Sequence, residues 1–277
     1  MRKNRYRRFS LVTALTLSFF TGCYKPDFQL TSKRFNKSLD GSLNSVADID
    51  PTGTNNFSFA IFGDVHMGTP VGNSLLEAIQ SSKSGGDQFA ILNGDITDSG
   101  KASSYDELVN TFAAESFEFR TAIGNHDIYF NGWDNFKNKI GRSTYSFQAD
   151  NVFFAVIDTA NGLIGAGQLA WLEETLESNS SEHKVIVTHF SPYTGKHQSL
   201  WRLSSDEESA MLKDIAFRTN VDLVIGGHMH GYLDRTIGGV RYIVTGGTNK
   251  IPDLGSSQHY VRVTISGTNL NVQKINY

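Results

Sequence analysis

Five short strings occur in one chain order: Gly63-Asp64-Val65-His66, Gly94-Asp95, Gly124-Asn125-His126-Asp127, Thr188-His189 and Gly227-His228-Met229-His230. They offer two carboxylates, one amide and four imidazoles as candidate metal ligands, namely Asp64, His66, Asp95, Asn125, His189, His228 and His230, with His126 left over. Neutral imidazole and carboxylate oxygen suit Zn, Fe and Mn, and no thiolate is among them. Four histidines argue against magnesium or calcium alone. Any one string is common in ordinary loops, where an aspartate after a strand serves a turn or a cap and a lone asparagine makes an Asx-turn. Their joint occurrence in order points to a site for two cations.

Each string follows an apolar run. Residues 57–62, 89–92, 119–123, 185–187 and 223–225, together with 152–157, read as strands buried on both faces. Residues 74–82, 105–114, 168–176 and 206–217 have helical spacing, with hydroxyl N-caps expected from the start at Ser103 and from Ser204 and Ser205. Alternating strand and helix predicts an α/β sheet fold. Loops at the carboxyl ends of such strands share one edge, so ligands far apart in sequence can converge. Four further strand-like runs, 231–236, 240–244, 259–265 and 270–275, are joined by Gly-rich turns and predict hairpins that finish a second sheet.

The N-terminal region has a different character. Arg2, Lys3, Arg5, Arg7 and Arg8 precede an uncharged, mostly apolar run over residues 9–20 and then Thr21-Gly22-Cys23. This predicts an export signal over residues 1–22, shorter than the roughly 20 apolar residues of a membrane span. The small residues before Cys23 resemble a bacterial lipobox, with Phe20 where leucine is usual, and imply lipidation of Cys23; an ordinary cleaved signal is the alternative. Cys23 is the only cysteine, so no intramolecular disulfide can form. Residues 23–56, rich in Ser, Asn, Asp, Thr and Gly, read as a flexible, lipid-anchored tether, and residues 57–277 as one catalytic domain. The expected location is outside the inner membrane, on the outer membrane or its periplasmic face, or soluble and secreted.

A net charge of −3 disfavours nucleic-acid binding as the main role. Attraction for a phosphate ester must then be local, supplied by bound cations.

In this order Asp-x-His, Gly-Asp, Gly-Asn-His-Asp, His and Gly-His-x-His resemble the signature of the calcineurin-like metallophosphoesterases, from residue 57 to the C-terminus. The resemblance implies a four-layer α/β/β/α sandwich with two mixed sheets. It assigns Asp64, His66 and His230 to one metal, Asn125, His189 and His228 to the other, and Asp95 to a bridge between two divalent or trivalent ions (Mn, Fe or Zn). It further implies hydrolysis of a small phosphate mono- or diester by attack of a metal-bridging hydroxide on phosphorus. His126 would face the substrate and protonate the leaving oxygen, with Asp98 placed to hold its imidazole in one tautomer. At a finer level, Gly94-Asp95-Ile96-Thr97-Asp98 and Gln168-Leu169-Ala170-Trp171-Leu172 look most like the branch that includes class III cyclic-nucleotide phosphodiesterases. His66, and no tyrosine at the position expected of purple acid phosphatases, sets the chain apart from that branch.

Other residues carry weaker readings. Asp127 is expected to make structural hydrogen bonds to neighbouring backbone. His197, Tyr193 and Trp201 are candidates to line the substrate pocket, His183 reads as a surface residue, and His259 reads as packed in a hairpin. Rim segments are expected at residues 68–72, 129–133 and 191–201. The alternative to an enzyme is a non-catalytic surface lipoprotein that uses the same fold as a binding or scaffold module.

Overall fold

The computed structural model describes residues 30–69, 74–195, 201–249 and 257–277. Strand β1 (Asn56–Phe62) shows how the layers arise. Its side chains alternate, and both sets are apolar: Phe59 and Ile61 join one core, Ala60 and Phe62 a second. A strand with two apolar faces must be covered on both sides. Strand β2 (Phe89–Leu92) repeats the division, with Phe89 and Ile91 facing the first core and Ala90 and Leu92 the second.

Strands β5 (Val152–Val156), β6 (His183–Val187) and β7 (Leu223–Gly226) divide in the same way. Phe154, Val185 and Ile225 enter the first core, while Ala155, Ile186 and Val224 enter a third. The first core therefore lies between two sheets. The second is closed by α2 (Leu75–Ser84), α3 (Ala102–Ala114) and α4 (Gly132–Lys139), and the third by α5 (Ala166–Glu177) and α6 (Asp206–Arg218). Three apolar interlayers between four layers give the α/β/β/α sandwich implied by the resemblance.

The remaining strands are β3 (Glu118–Thr121), β4 (Tyr145–Ala149), β8 (Tyr232–Ile237), β9 (Val240–Thr245), β10 (His259–Ser266) and β11 (Asn269–Asn276). One sheet has the order β11-β10-β1-β2-β3, the other β4-β5-β6-β7-β9-β8. Both are mixed: β1, β2 and β3 run parallel, as do β5, β6, β7 and β9, with antiparallel strands at the flanks. The two C-terminal hairpins separate. Hairpin β8-β9 completes the second sheet as expected, but β10 returns to pair with β1, from Asn56 opposite Ser266 to Ile61 opposite Val261, and so extends the first. The pairing fits β10's composition, since Val261, Val263 and Ile265 fill the inter-sheet core and Tyr260 the second core.

Three further expectations need correction. The N-cap of α3 is Lys101, with no side-chain hydrogen bond, whereas Ser205 does cap α6 by accepting the Glu208 N–H at 3.1 Å. His183 is buried and its Nε2 lies 3.1 Å from the Gly267 carbonyl, so it is no surface residue. The region read as a flexible tether is built into the domain from residue 30 onward. Helix α1 (Thr31–Leu39) packs on α5, with Phe35 edge-on to Trp171, and Ile49 bridges to Ala149. Among the described residues no helix is long and apolar enough to cross a membrane. The expected export segment, Cys23 and His197 lie outside the described residues.

Candidate metal centre

The parallel strands of both sheets end at one edge, and the candidate ligands sit just beyond them. Asp64 and His66 follow β1, Asp95 follows β2, Asn125 follows β3, His189 follows β6, and His228 follows β7, with His230 leading into β8. The two sheets are tied together here by Asn93, whose buried amide donates to the carbonyls of Gly226 (2.7 Å) and Thr245 (2.8 Å). Four of the candidates, Asp64, His66, Asp95 and His228, have left-handed backbone with φ of 51°, 48°, 49° and 64°. Each such residue costs on the order of 1 kcal/mol, a strain that persists only where surrounding structure enforces it and that concentrates at functional sites. Glycines make the approach possible. At Gly94 (φ +97°) a Cβ would stand 2.6 Å from His189 Nδ1, and at Gly124 it would stand 2.2 Å from Asp95 Oδ1.

The candidate side chains converge in groups. Ligand atoms of Asp64, His66 and His230 lie within 4.8 Å of one another, and so do those of Asp95, His189 and His228. Asn125 joins the second group through Oδ1, 3.0 Å from His189 Nε2. Asp95 Oδ2 stands between the groups, 3.8 Å from His66 Nε2 and 3.3 Å from His189 Nε2. Ligand atoms of His66, Asp95 and His126 also lie within 4.8 Å of one another, which brings the leftover histidine to the centre. Asp64, Asp95 and His189 are at most 1 % exposed and form the floor, while Asn125, His126, His228 and His230 are half-buried and open toward solvent.

Hydrogen bonds orient several of these groups. His189 Nδ1 lies 3.0 Å from the Asn93 carbonyl, which can only accept, so Nδ1 donates and Nε2 faces the centre. His126 Nδ1 donates to the Asp98 carbonyl at 2.7 Å, leaving its Nε2 toward the centre. The tautomer assignment expected of Asp98 is therefore made by its backbone; its carboxylate instead lies 3.9 Å from His66 Nδ1. Asp127 is buried and accepts N–H bonds from Gly124, Ile96 and Thr97, the structural role expected of it. His259 is buried within β10, also as expected.

Charge is concentrated and unevenly balanced. Burial pushes the Asp95 carboxyl up, yet His189, His66 and His126 outweigh it and hold Asp95 well below the usual carboxylate range. Burial likewise acts to raise Asp64, and His230 with His189 reverses it. Burial pulls His189 down, but the Asp95 charge overcomes it and holds the imidazole at about 9. Burial leaves His66 below its ordinary value. Two imidazole nitrogens, His66 Nε2 and His230 Nε2, meet 3.2 Å apart beside Asp64. Buried anions ringed by converging nitrogens are a donor set that fits divalent cations of the first transition row.

Tyr129, missed as a site residue though placed in a rim segment, takes the Asn125 amide N–H on its hydroxyl at 3.3 Å, with its ring 4.7 Å from His126. That bond turns Asn125 Oδ1 toward His189, and the separation of four residues across one helical turn is the only sequence signal for it. Phe190 and Trp201 pack tilted against His228 at ring distances of 4.0 and 5.5 Å, so Trp201 borders the candidate ligands. Tyr193 instead packs toward Tyr242.

Residues 57–232 match the calcineurin-like phosphoesterase family, to which this chain belongs. A probable cyclic nucleotide phosphodiesterase of Coxiella burnetii is 26% identical over 160 residues, covering 54% of this chain and 62% of that protein; the match spans less than two thirds of the relative's length. Among solved structures, a purple acid phosphatase from yellow lupin (Lupinus luteus) superposes with a TM-score of 0.63 at 15% identity, covering 81% of this chain and 52% of that one. A dimetal phosphatase from Danio rerio gives 0.59 at 15% identity, covering 80% and 99%. At such identity the structural likeness establishes the fold. The chain thus combines the calcineurin-like phosphoesterase family with clusters of carboxylates and imidazoles able to hold a metal ion.

Proposed function

We propose that the protein is a dinuclear hydrolase of phosphate esters in which Asp64, His66 and His230 hold one cation, Asn125, His189 and His228 hold a second, and Asp95 is shared. The observation that carries this reading is the position of Asp95 Oδ2 within 4 Å of an imidazole nitrogen from each group. Cations held there supply Lewis acidity toward the ester oxygens and lower the pKa of a bound water. The chain's own contribution is orientation and proton transfer. Asn93 holds the His189 ring and Thr159 its backbone N–H, Tyr129 fixes Asn125, and the Asp98 carbonyl fixes His126 with Nε2 toward the site, where it would donate a proton to the leaving oxygen.

A diester substrate, cyclic nucleotides included, is the finer reading. It is supported by the Coxiella relative and by the string over residues 94–98. The other branch-like string, residues 168–172, does not reach the site; Gln168 is buried and hydrogen-bonds the Asp158 backbone. Metal-reconstituted protein assayed on a chromogenic phosphomonoester and phosphodiester pair is expected to cleave at least the diester, with Asp95→Asn inactive. Failure on both substrates with two metals bound would overturn the reading.

Export and lipidation at Cys23 complete the proposal, supported by the basic start, the apolar run and the small residues before Cys23. Cell fractionation is expected to recover the protein with membranes and Cys23→Ser in the soluble fraction; equal partition of the two would refute anchoring.

A further inference from the structure

Arg34 is a fully buried charge for which the proposed reaction has no use. It lies on α1, and its guanidinium crosses to the loop after β5. Nε and Nη2 each donate to an Asp158 carboxylate oxygen at 2.7 Å, and Nη2 also reaches Asn161 Oδ1 at 2.6 Å. Asp158 Oδ1 in turn accepts the Ala160 N–H at 3.1 Å, so the ion pair clamps the turn that contains Thr159.

Thr159 is where that turn meets the metal centre. Its Oγ1 accepts the backbone N–H of His189 at 3.2 Å and of Phe190 at 2.9 Å, and lies 2.9 Å from Thr188 Oγ1. His189 is a candidate ligand, and the Phe190 ring rests 4.0 Å from the ring of His228, a second ligand of the same cation. A clamp needed only to hold α1 on the domain could sit anywhere along the α1–α5 contact, which Phe35 and Trp171 already make. The guanidinium is instead directed at the loop whose Thr159 accepts the His189 backbone N–H, while Gly227 N–H meets the His189 carbonyl from the other side of the chain.

We infer that Arg34 is a positioning residue for the metal centre, acting through Asp158 and Thr159 on the loop that carries His189. The inference rests on the dinuclear reading above. It makes a segment with the composition of a linker part of the machinery, and it predicts damage to one cation site and not the other. Among the described residues, the bonds of Thr159 Oγ1 run to Thr188, His189 and Phe190, on the His189 side of Asp95.

Calorimetric titration of metal-stripped protein with Mn²⁺ tests it, with His230→Ala marking loss of the first ion and His189→Ala loss of the second. Wild type is expected to take up two ions. Thr159→Val should weaken the second by about tenfold or more, the range that loss of an orienting partner typically costs, and leave the first within about threefold. Thr159→Ser, which keeps the hydroxyl, should restore it. Arg34→Lys, which keeps the charge and loses the fork, should weaken the same single ion. Unchanged titration of Thr159→Val, or equal weakening of both ions, would overturn the inference. An Arg34→Lys protein that titrates as wild type would overturn the part played by α1. If Arg34→Lys fails to fold, Arg34→Gln paired with Asp158→Asn is titrated in its place with the same criteria. Wild type that binds no Mn²⁺ would instead sink the dinuclear reading, and this inference with it.

Discussion

Two buried ionic clusters lie beyond the ends of strands in this fold, and they are built on opposite plans. Around Asp158 the carboxylate meets a guanidinium through two bonds of 2.7 Å and takes a backbone N–H as well. None of Arg34, Asp158 and Thr159 has left-handed backbone. Around Asp64 and Asp95, among the described residues, neither arginine nor lysine pairs with the carboxylates; both face imidazoles, and four of the seven candidate ligands stand at positive φ. A carboxylate answered by a fixed cation of the chain is complete in itself. Carboxylates answered by imidazoles on a strained backbone are arranged for cations that come from outside.

The contrast can be broken by substitution, beginning with the largest effect. His126→Ala should retain both metals by elemental analysis and lose about 10²-fold to 10³-fold in turnover on an ester with a poor leaving group, and much less on a nitrophenyl ester. Loss of metal in that variant would make His126 a ligand. Arg34→Met, which leaves Asp158 buried without its counter-ion, should lower unfolding free energy by about 3–5 kcal/mol in denaturant titrations with or without metal. A cost that appears only in the metal-loaded protein would remove the distinction between the clusters.

Gly94→Ala sharpens the comparison from the other side. Its added Cβ would stand against the His189 ring at a left-handed φ, and a loss of about 1–3 kcal/mol with weakened metal uptake is expected. The smallest effect belongs to His259, away from both clusters. Burial outweighs the carbonyl of Ser257 and pushes this imidazole down to about 4. Its folded pKa is below the ordinary 6.5, so the unfolded chain takes up the proton first. Stability is full above pH 6.5 and declines as pH falls toward 4. Thermal melts should drop by a few degrees less in His259→Gln than in wild type between pH 7 and pH 5; equal slopes would show that His259 does not contribute.

The convergence of the candidate ligands was legible because each piece of it is local. An apolar run, a glycine and a ligand follow one another within a few residues, and the strands place them at one edge whatever lies between. Asp98 does meet the His126 imidazole, but through its backbone carbonyl, an atom that carries no sequence signal. The Arg34 cluster left no trace because its partners are 124 residues apart and α1 is short and polar, with a single deeply buried charge. Strand β4 was missed although Tyr145, Phe147 and Ala149 alternate with Ser146 and Gln148, a period-two pattern that short length obscures. The choice of sheet for β10 depends on an open flank of β1, which no local pattern encodes.

Docking of α1 would also set the reach of the protein under the proposed anchoring at Cys23. With a lipid on Cys23, a free leash running to residue 56 would extend to roughly 110 Å, whereas one that ends at Leu30 spans roughly 25 Å when fully drawn out. An enzyme held that close to the bilayer would survey molecules at the lipid surface before it met those in the bulk.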